Sequence, residues 1–361
     1  MALKDVIGQE KAINILCGRI AKDRVPHALL FAGDEGIGKR LAAMNFAKTL
    51  NCQGKEHRAK GVEETGLDFG FFPPETEAVN AGPQPLTPDP LIDSCDQCPS
   101  CVKIDKAGHP DVFIIEPEGD GDQIRVDAIR QLEEALAYKP FEGSYKIAII
   151  DNAEKMNQST ANAFLDTLES PPDQSVLVLI SSRPDMLLPT IRSRCHRINF
   201  SPLSPDTMSS LLEARLKKLD REQALLLGRL SGGRPGYALN ENLIGKRDRS
   251  LDILRQMTGG LKEEFRDDKM SMEELFDWGE VWLRDMAVFK ATGQGEFLVN
   301  KDKVDEIRAF TADAALRDIL KLARDLYNIR GRFNFNLNEK ITMNYTSLLM
   351  RKGLGKTDAG K

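Results

Sequence analysis

Residues 33–40 read Gly33-Asp-Glu-Gly36-Ile-Gly38-Lys39-Arg40, the phosphate-loop pattern G-x-x-x-x-G-K-[ST] with its last position changed. In such a loop the glycines let backbone N–H groups wrap phosphates. The lysine reaches the β- and γ-phosphates, and the final hydroxyl ligates Mg²⁺. Arginine has no lone pair to give a metal. Gly33, Gly36, Gly38 and Lys39 could still hold the phosphates of ATP or ADP, and Arg40 either adds charge or fills the pocket. The plain alternative is a glycine-rich turn with no ligand. A second element has the same character. The apolar run Ile147-Ala-Ile-Ile150 ends in Asp151, as does the strand that holds Mg²⁺ in phosphoryl-transfer enzymes. The next residue is Asn152, which cannot serve as the base that activates water. Glu154 lies three residues past Asp151 and is expected to point elsewhere. Otherwise Asp151 simply ends a strand and caps a helix. With both Arg40 and Asn152 altered, hydrolysis by this chain is not expected.

Cys95, Cys98 and Cys101 have the spacing C-x₂-C-x₂-C, and Cys52 lies upstream. Zn²⁺ in a closed structural site takes four tetrahedral thiolates, so Cys52 can complete the set. His57 and His109 are alternative fourth ligands. An iron–sulfur cluster or redox thiols also suit such spacing. A metal here would staple the two ends of the intervening segment. Cys17 and Cys195 read as buried small apolar residues.

Thr190-Ile-Arg-Ser193-Arg194-Cys195 follows a Pro189 turn. An arginine at a subunit edge can reach a neighbour's γ-phosphate, an effect worth about 10³–10⁵ in rate where it has been isolated. By residue chemistry alone, a solvated or salt-bridged arginine is the commoner reading. The histidines at 27, 57, 109 and 196 form no recognisable nucleophile–base pairing, so acid–base catalysis has little material.

These residues need a scaffold. Ala28–Ala32 is an apolar run that stops at Gly33, and a helix over 41–50 follows: strand, loop, helix, as a phosphate loop requires. Strands are expected at 111–115, 146–150 and 175–180, the last apolar throughout and central. Helices are expected over 5–22, 126–137 and 159–168, the last stopped by Pro171-Pro172. Alternating strands and helices predict an α/β parallel sheet over 1–200. Within it, 53–94 is proline-rich and acidic and reads as a flexible insertion, closed by the cysteines into a module over 52–101. Phe69, Phe71 and Phe72 in the insertion read as a local anchor or a partner motif. Past Ser201-Pro-Leu-Ser-Pro205 strand signals stop. A small helical unit is expected over 201–245 and a helical bundle over 246–361, with an unstructured tail over 352–361.

The 361 residues, 41% hydrophobic and 29% charged, suit a globular chain of two or three domains. The net charge of −5 excludes whole-chain attraction to nucleic acid or anionic membrane. The residues after Met1 have no apolar stretch like a signal peptide, and no run suits a membrane span. A cytoplasmic location is expected, with cysteines as thiols or metal ligands.

Several segments in order resemble one family: Val6-Ile-Gly-Gln9, His27-Ala-Leu-Leu-Phe31, the phosphate loop, the cysteines, Asn162-Ala-Phe-Leu-Asp-Thr-Leu-Glu-Ser-Pro171 and Ser193-Arg194-Cys195. Together they are similar to the clamp-loader subunits of bacterial DNA polymerase III, which are AAA+ proteins. The likeness covers residues 1–245 by motif; beyond that the chain agrees only in being helical. It implies an AAA+ domain with an inserted zinc module, a small helical lid and an all-α collar that joins subunits in a ring. It implies motor (gamma/tau) and delta subunits as partners, and contact with a sliding clamp and primed DNA through the complex. The chain would be a component of the DNA-directed DNA polymerase III holoenzyme. The motor subunit has a Ser or Thr ending its loop, a Glu after the Asp of the third strand, and an arginine two residues before Ala-Leu. Here these positions are Arg40, Asn152 and Gly236, with Arg234 displaced. These departures point to a subunit that does not hydrolyse ATP. The resemblance implies that such a subunit presents Arg194 to ATP on an adjacent motor. Asp166 stands where lysine is usual, and nothing in the residues explains it. Two alternatives remain: an AAA+ motor that hydrolyses ATP itself through an unorthodox Mg²⁺ shell, and a zinc-stapled adaptor with no role in replication.

Overall fold

The computed structural model describes residues 2–54, 93–119, 122–216, 219–240, 242–259, 270–333 and 337–355. His57, Phe69, Phe71, Phe72 and most of the 53–94 insertion lie outside these residues. The chain forms two compact units, Met1–Leu203 and Ser204–Lys361.

The first unit contains helix α1 (Glu10–Ala21), strand β1 (Ala28–Ala32), α2 (Lys39–Asn51), α3 (Pro99–Asp105), β2 (Val112–Ile115), α4 (Val126–Leu136), β3 (Lys146–Ile150), α5 (Gln158–Glu169), β4 (Ser175–Ser181), α6 (Pro189–Arg194) and β5 (His196–Asn199). The five strands form one parallel sheet in the order β2-β3-β4-β1-β5. β4 is in the middle, and every residue of β1, β3 and β4 is buried. A parallel sheet covered on both faces needs such uninterrupted apolar strands. Alternation along each strand feeds two cores. Leu29, Phe31, Ile147 and Ile149 pack with Phe46 of α2 on one face. Leu30, Ile150 and Leu177 pack with Phe164 of α5 on the other.

Apolar runs predict four strands; the structure has a fifth. β5 buries only Ile198, so it carries no apolar run that could announce it. It pairs with β1 from Leu29↔His196 to Ala32↔Asn199, an edge position where one buried residue suffices. The first helix is also shorter than expected. Leu3–Asp5 is a separate 3₁₀ turn, and α1 starts at Glu10.

The second unit is helical: α7 (Pro205–Arg215), α8 (Arg221–Leu230), α9 (Pro235–Asn240), α10 (Leu243–Gly259), α11 (Met272–Thr292), α12 (Val304–Thr311), α13 (Leu316–Arg330) and α14 (Glu339–Gly353). Ser204, Asp220 and Ser271 cap α7, α8 and α11 through their side chains, and the Ser271–Glu274 capping box starts the longest of them. Such caps satisfy N–H groups that no helical carbonyl reaches. Trp282 of α11 is fully buried, and its indole N–H donates to Ser250 Oγ of α10 at 2.9 Å. α14 runs to Gly353, into the tail expected to lack structure; residues 356–361 lie outside those described. No helix among the described residues is long and apolar enough to cross a membrane.

Candidate functional site

β1 ends at Ala32 and hands the chain to the glycine loop. A Cβ at Gly33 would stand 2.6 Å from the Phe200 carbonyl oxygen, so no side chain fits there. Gly36 and Gly38 have φ of +75° and +106°, the left-handed backbone from which successive N–H groups form an anion nest. Gly38 is the N-cap of α2. Gln9, nearly fully buried, braces the loop from outside. Its amide donates to Ile37 O at 3.4 Å and Ser201 O at 2.8 Å, and accepts from Ser201 N at 3.1 Å. The backbone of a phosphate loop is thus intact.

Its side chains are committed elsewhere. Lys39, only 6% exposed, donates from Nζ to the carbonyls of Gly33 at 2.6 Å and Asp34 at 2.7 Å. Burial lowers its pKa, against the opposing pull of Glu154, Asp151, Glu35 and Asp34. Arg40 donates from Nη1 to Asp151 Oδ2 at 3.2 Å and also bonds Glu116 Oε1. The pairing of Ile115 with Ile150 brings the ends of β2 and β3 side by side, and so brings together Glu116 and Asp151, which follow them. Asp151 Oδ1 accepts the Asn152 N–H at 2.9 Å. Both oxygens of the carboxylate that would hold a divalent cation are therefore engaged, one of them by a fixed cation. These residues do not fit Mg²⁺. No motif singles out Glu116. The signal for it was its place directly after an apolar strand, the same place Asp151 has.

Glu154 is a correction. It does not point away but bridges to the end of β4, where its Oε1 accepts from Ser182 N at 3.0 Å and Ser182 Oγ at 2.6 Å. Burial disfavours its ionised form, but bonds from Ser182, its own backbone N–H and Ser181 together outweigh this and lower its pKa. It is the foremost of the carboxylates acting on Lys39. The 3₁₀ turn Ala153–Lys155 turns the side chain back toward the loop, which linear spacing could not convey. Arg234 lies in the second unit. It donates from Nε to Ser231 O at 2.8 Å, and its guanidinium stacks 4.4 Å from the centre of the Tyr237 ring.

The cysteines converge. Sγ atoms of Cys52, Cys95, Cys98 and Cys101 all lie within 4.8 Å of one another. A tetrahedral thiolate site with bonds of about 2.3 Å places sulfurs about 3.8 Å apart, so the four fit such an ion. Backbone N–H groups already point at three of the sulfurs: Gly54 and Cys95 at Cys52 (each 3.4 Å), Cys98 at Cys95 (3.3 Å) and Cys101 at Cys98 (3.5 Å). Burial opposes ionisation of Cys95, but the N–H groups of Gln97 and Cys98, with the Cys52 and Cys98 thiols, prevail and lower its pKa to about 6. Burial raises Cys52 and Cys101. Thiols this close cannot all ionise without a cation among them. The cluster is anchored to the sheet unit by Lys48 of α2, whose fully buried side chain pairs with Asp96 at 2.5 Å and Asp105 at 3.0 Å. His109 is not a ligand. Its Nδ1 accepts the Asp111 N–H at 3.1 Å, so Nε2 carries the proton and donates to Ser100 Oγ at 3.0 Å. Burial pushes the Cys17 and Cys195 thiols up to about 11 and 12, as suits inert core residues.

Arg194 ends α6 at the surface. Its Nη1 donates to Thr190 O at 2.9 Å, and its Nη2 pairs with Glu169 Oε1 at 2.6 Å. Pro189 occupies the first position of α6, where its missing N–H costs nothing. Ile191, fully buried, fixes the helix against the core beneath.

A family described as "DNA polymerase III, delta subunit" matches residues 8–65 and 86–204. The chain is 31% identical over 282 residues to DNA polymerase III subunit delta' of Pseudomonas aeruginosa, covering 75% of each chain. It is 25% identical over 360 residues to subunit delta' of Bacillus subtilis, covering 96% of this chain and 97% of that one. It is also 25% identical over 334 residues to subunit tau of Bacillus subtilis, covering 84% of this chain and 53% of that one.

Proposed function

This chain belongs to the delta-prime family of DNA polymerase III clamp-loader subunits, and from that premise we propose that it is a non-hydrolysing AAA+ subunit that completes the active site of a neighbour. One observation carries the reading: the Arg40 guanidinium lies against Asp151, where a hydrolysing subunit would hold its divalent cation. Asn152 supplies no base, and Glu154 spends its Oε1 on Ser182. Arg194, by contrast, stands at the surface on a short helix, 35% exposed in its side chain, where it would be open to a phosphate held by an adjacent motor subunit. Its positive charge would stabilise the charge that builds on the transferred phosphoryl group.

The partners in this reading are the gamma/tau motor and delta subunits in a hetero-oligomeric ring, which places a sliding clamp on primed DNA. The helical second unit supports ring assembly. Ile341, Tyr345 and Leu348 of α14 are 68%, 52% and 56% exposed, and their spacing puts them on one helical face. An exposed apolar stripe of this kind suits a helix that packs against another subunit. The four cysteines would hold zinc in a closed structural site. The ion would join the end of α2 to the start of α3 and take no part in chemistry.

The test uses the complex reconstituted with its motor and delta subunits. Arg194→Ala should lower clamp- and DNA-stimulated ATP turnover by tenfold or more at the site it serves, with the ring still assembled by size-exclusion chromatography. Wild-type turnover in that complex refutes the role in trans. Steady turnover by the purified wild-type chain alone, abolished by Lys39→Ala, would instead establish a self-sufficient motor.

A further inference from the structure

We propose that Glu169 is the positioning residue for Arg194, holding the guanidinium in the orientation from which it acts. The inference rests on the reading of Arg194 given above. Glu169 is the last residue of α5, whose last turn carries no basic side chain. The unpaired carbonyls of a helix C-terminus carry partial negative charge, and the Glu169 carboxylate adds a full one at the same place. An acidic residue there is unfavourable unless a cation is brought to it. Arg194 brings one: Nη2 lies 2.6 Å from Glu169 Oε1. Its Nη1 donates to Thr190 O at 2.9 Å. The two contacts use different nitrogens and come from different helices, so the guanidinium plane cannot turn without breaking one of them.

A guanidinium has five N–H donors. These contacts occupy two, and the side chain is 35% exposed, so donors remain for a phosphate. An arginine on a flexible stem otherwise has many rotamers to lose when it engages a phosphate, and a held guanidinium has fewer. Thr190 O alone is a tether within α6. Glu169 ties the guanidinium to α5, and so to the sheet unit, through a helix whose Phe164 and Leu168 are fully buried.

The test measures clamp- and DNA-stimulated ATP turnover of the reconstituted complex carrying Glu169→Ala, Glu169→Gln, Arg194→Ala or Glu169→Ala/Arg194→Ala. Because the pair is partly solvated, Glu169→Ala should lower kcat about two- to fivefold. KM for ATP should be unchanged, since Arg194 acts on the transition state. Glu169→Gln, which keeps an oxygen to accept the bond, should recover most of the loss. The double variant should match Arg194→Ala alone, because Glu169 acts only through the arginine. Melting temperatures of all four should stay within about 4 °C of the wild type, as for loss of one partly solvated ion pair, and their size-exclusion profiles should overlay it. If Arg194→Ala lowers turnover while Glu169→Ala leaves it at the wild-type value, the positioning role is overturned and the role of Arg194 stands. A Glu169→Ala loss that persists undiminished in the Arg194→Ala background also overturns it. If Arg194→Ala itself has no effect, the underlying reading of Arg194 falls.

Discussion

Arg40→Thr restores the hydroxyl that the phosphate-loop pattern carries at this position. In the wild type, Asp151 is 14% exposed in its side chain and is bonded on one oxygen by Arg40 and on the other by the Asn152 N–H. Threonine removes the guanidinium from Asp151 and Glu116 and supplies the missing hydroxyl. The glycine backbone that cradles phosphate is already in place. Loss of a half-exposed ion pair costs at most about 1 kcal/mol, which in a unit of this size lowers Tm by about 2–4 °C. A ligand present at a hundred times its Kd adds about 2.7 kcal/mol, or about 5–11 °C at the same conversion. The assay is thermal melting of the purified wild type and variant with ATP, in excess Mg²⁺ and in Mg²⁺-free buffer without chelator. The wild type should melt at one temperature in both. The variant should melt slightly lower without Mg²⁺ and rise by several degrees with it, still without turnover, because Asn152 supplies no base. A Mg²⁺-dependent rise in the wild type, or identical melting of the variant in both buffers, would refute the argument that Arg40 stands in the place of the cation.

Two further outcomes concern the first unit. The purified chain should contain about one zinc per molecule by elemental analysis, and its removal by a strong chelator, or Cys95→Ser, should lower Tm by several degrees; unchanged melting after verified metal loss would count against a structural ion. Asp111 is fully buried and accepts the backbone N–H groups of Phe141 (2.7 Å), Glu142 (2.7 Å) and Gly143 (2.8 Å). Burial raises its pKa, but these bonds outweigh burial and hold it below the usual carboxylate value. Its stabilisation is therefore complete above the unfolded pKa of about 3.9 and is lost as pH falls through the lower folded value. Asp111→Asn should cost about 2–3 kcal/mol at neutral pH, and urea melts should show the two proteins beginning to converge as pH falls below about 4.

Much of the first unit was legible because its physics is local. An apolar run that ends at Gly33 reads naturally as a buried strand feeding a tight turn, and a run that ends at Asp151 follows the same rule. β5 was not legible, since an edge strand needs only Ile198 on its buried side. Glu154 was misread for a related reason: its direction depends on a 3₁₀ turn and on Ser182, which is 28 residues away. The cysteines were legible as a group from their spacing, but whether His109 joins them was decided by Ser100 and Asp111, which hold both of its ring nitrogens.

The sequence by itself determined which side chains stand at the altered positions, a guanidinium at Arg40 and an amide at Asn152, because those are facts of covalent composition. It also determined the parallel sheet, through strands too apolar to face water. Only the tertiary structure decided what the substituted groups do. Strand pairing sets Glu116 beside Asp151 so that Arg40 meets both, and the packing of α6 near the end of α5 sets Arg194 on Glu169. Those contacts join residues far apart in the chain. Charge attracts at a distance that only the fold sets, and the list of residues does not contain that distance.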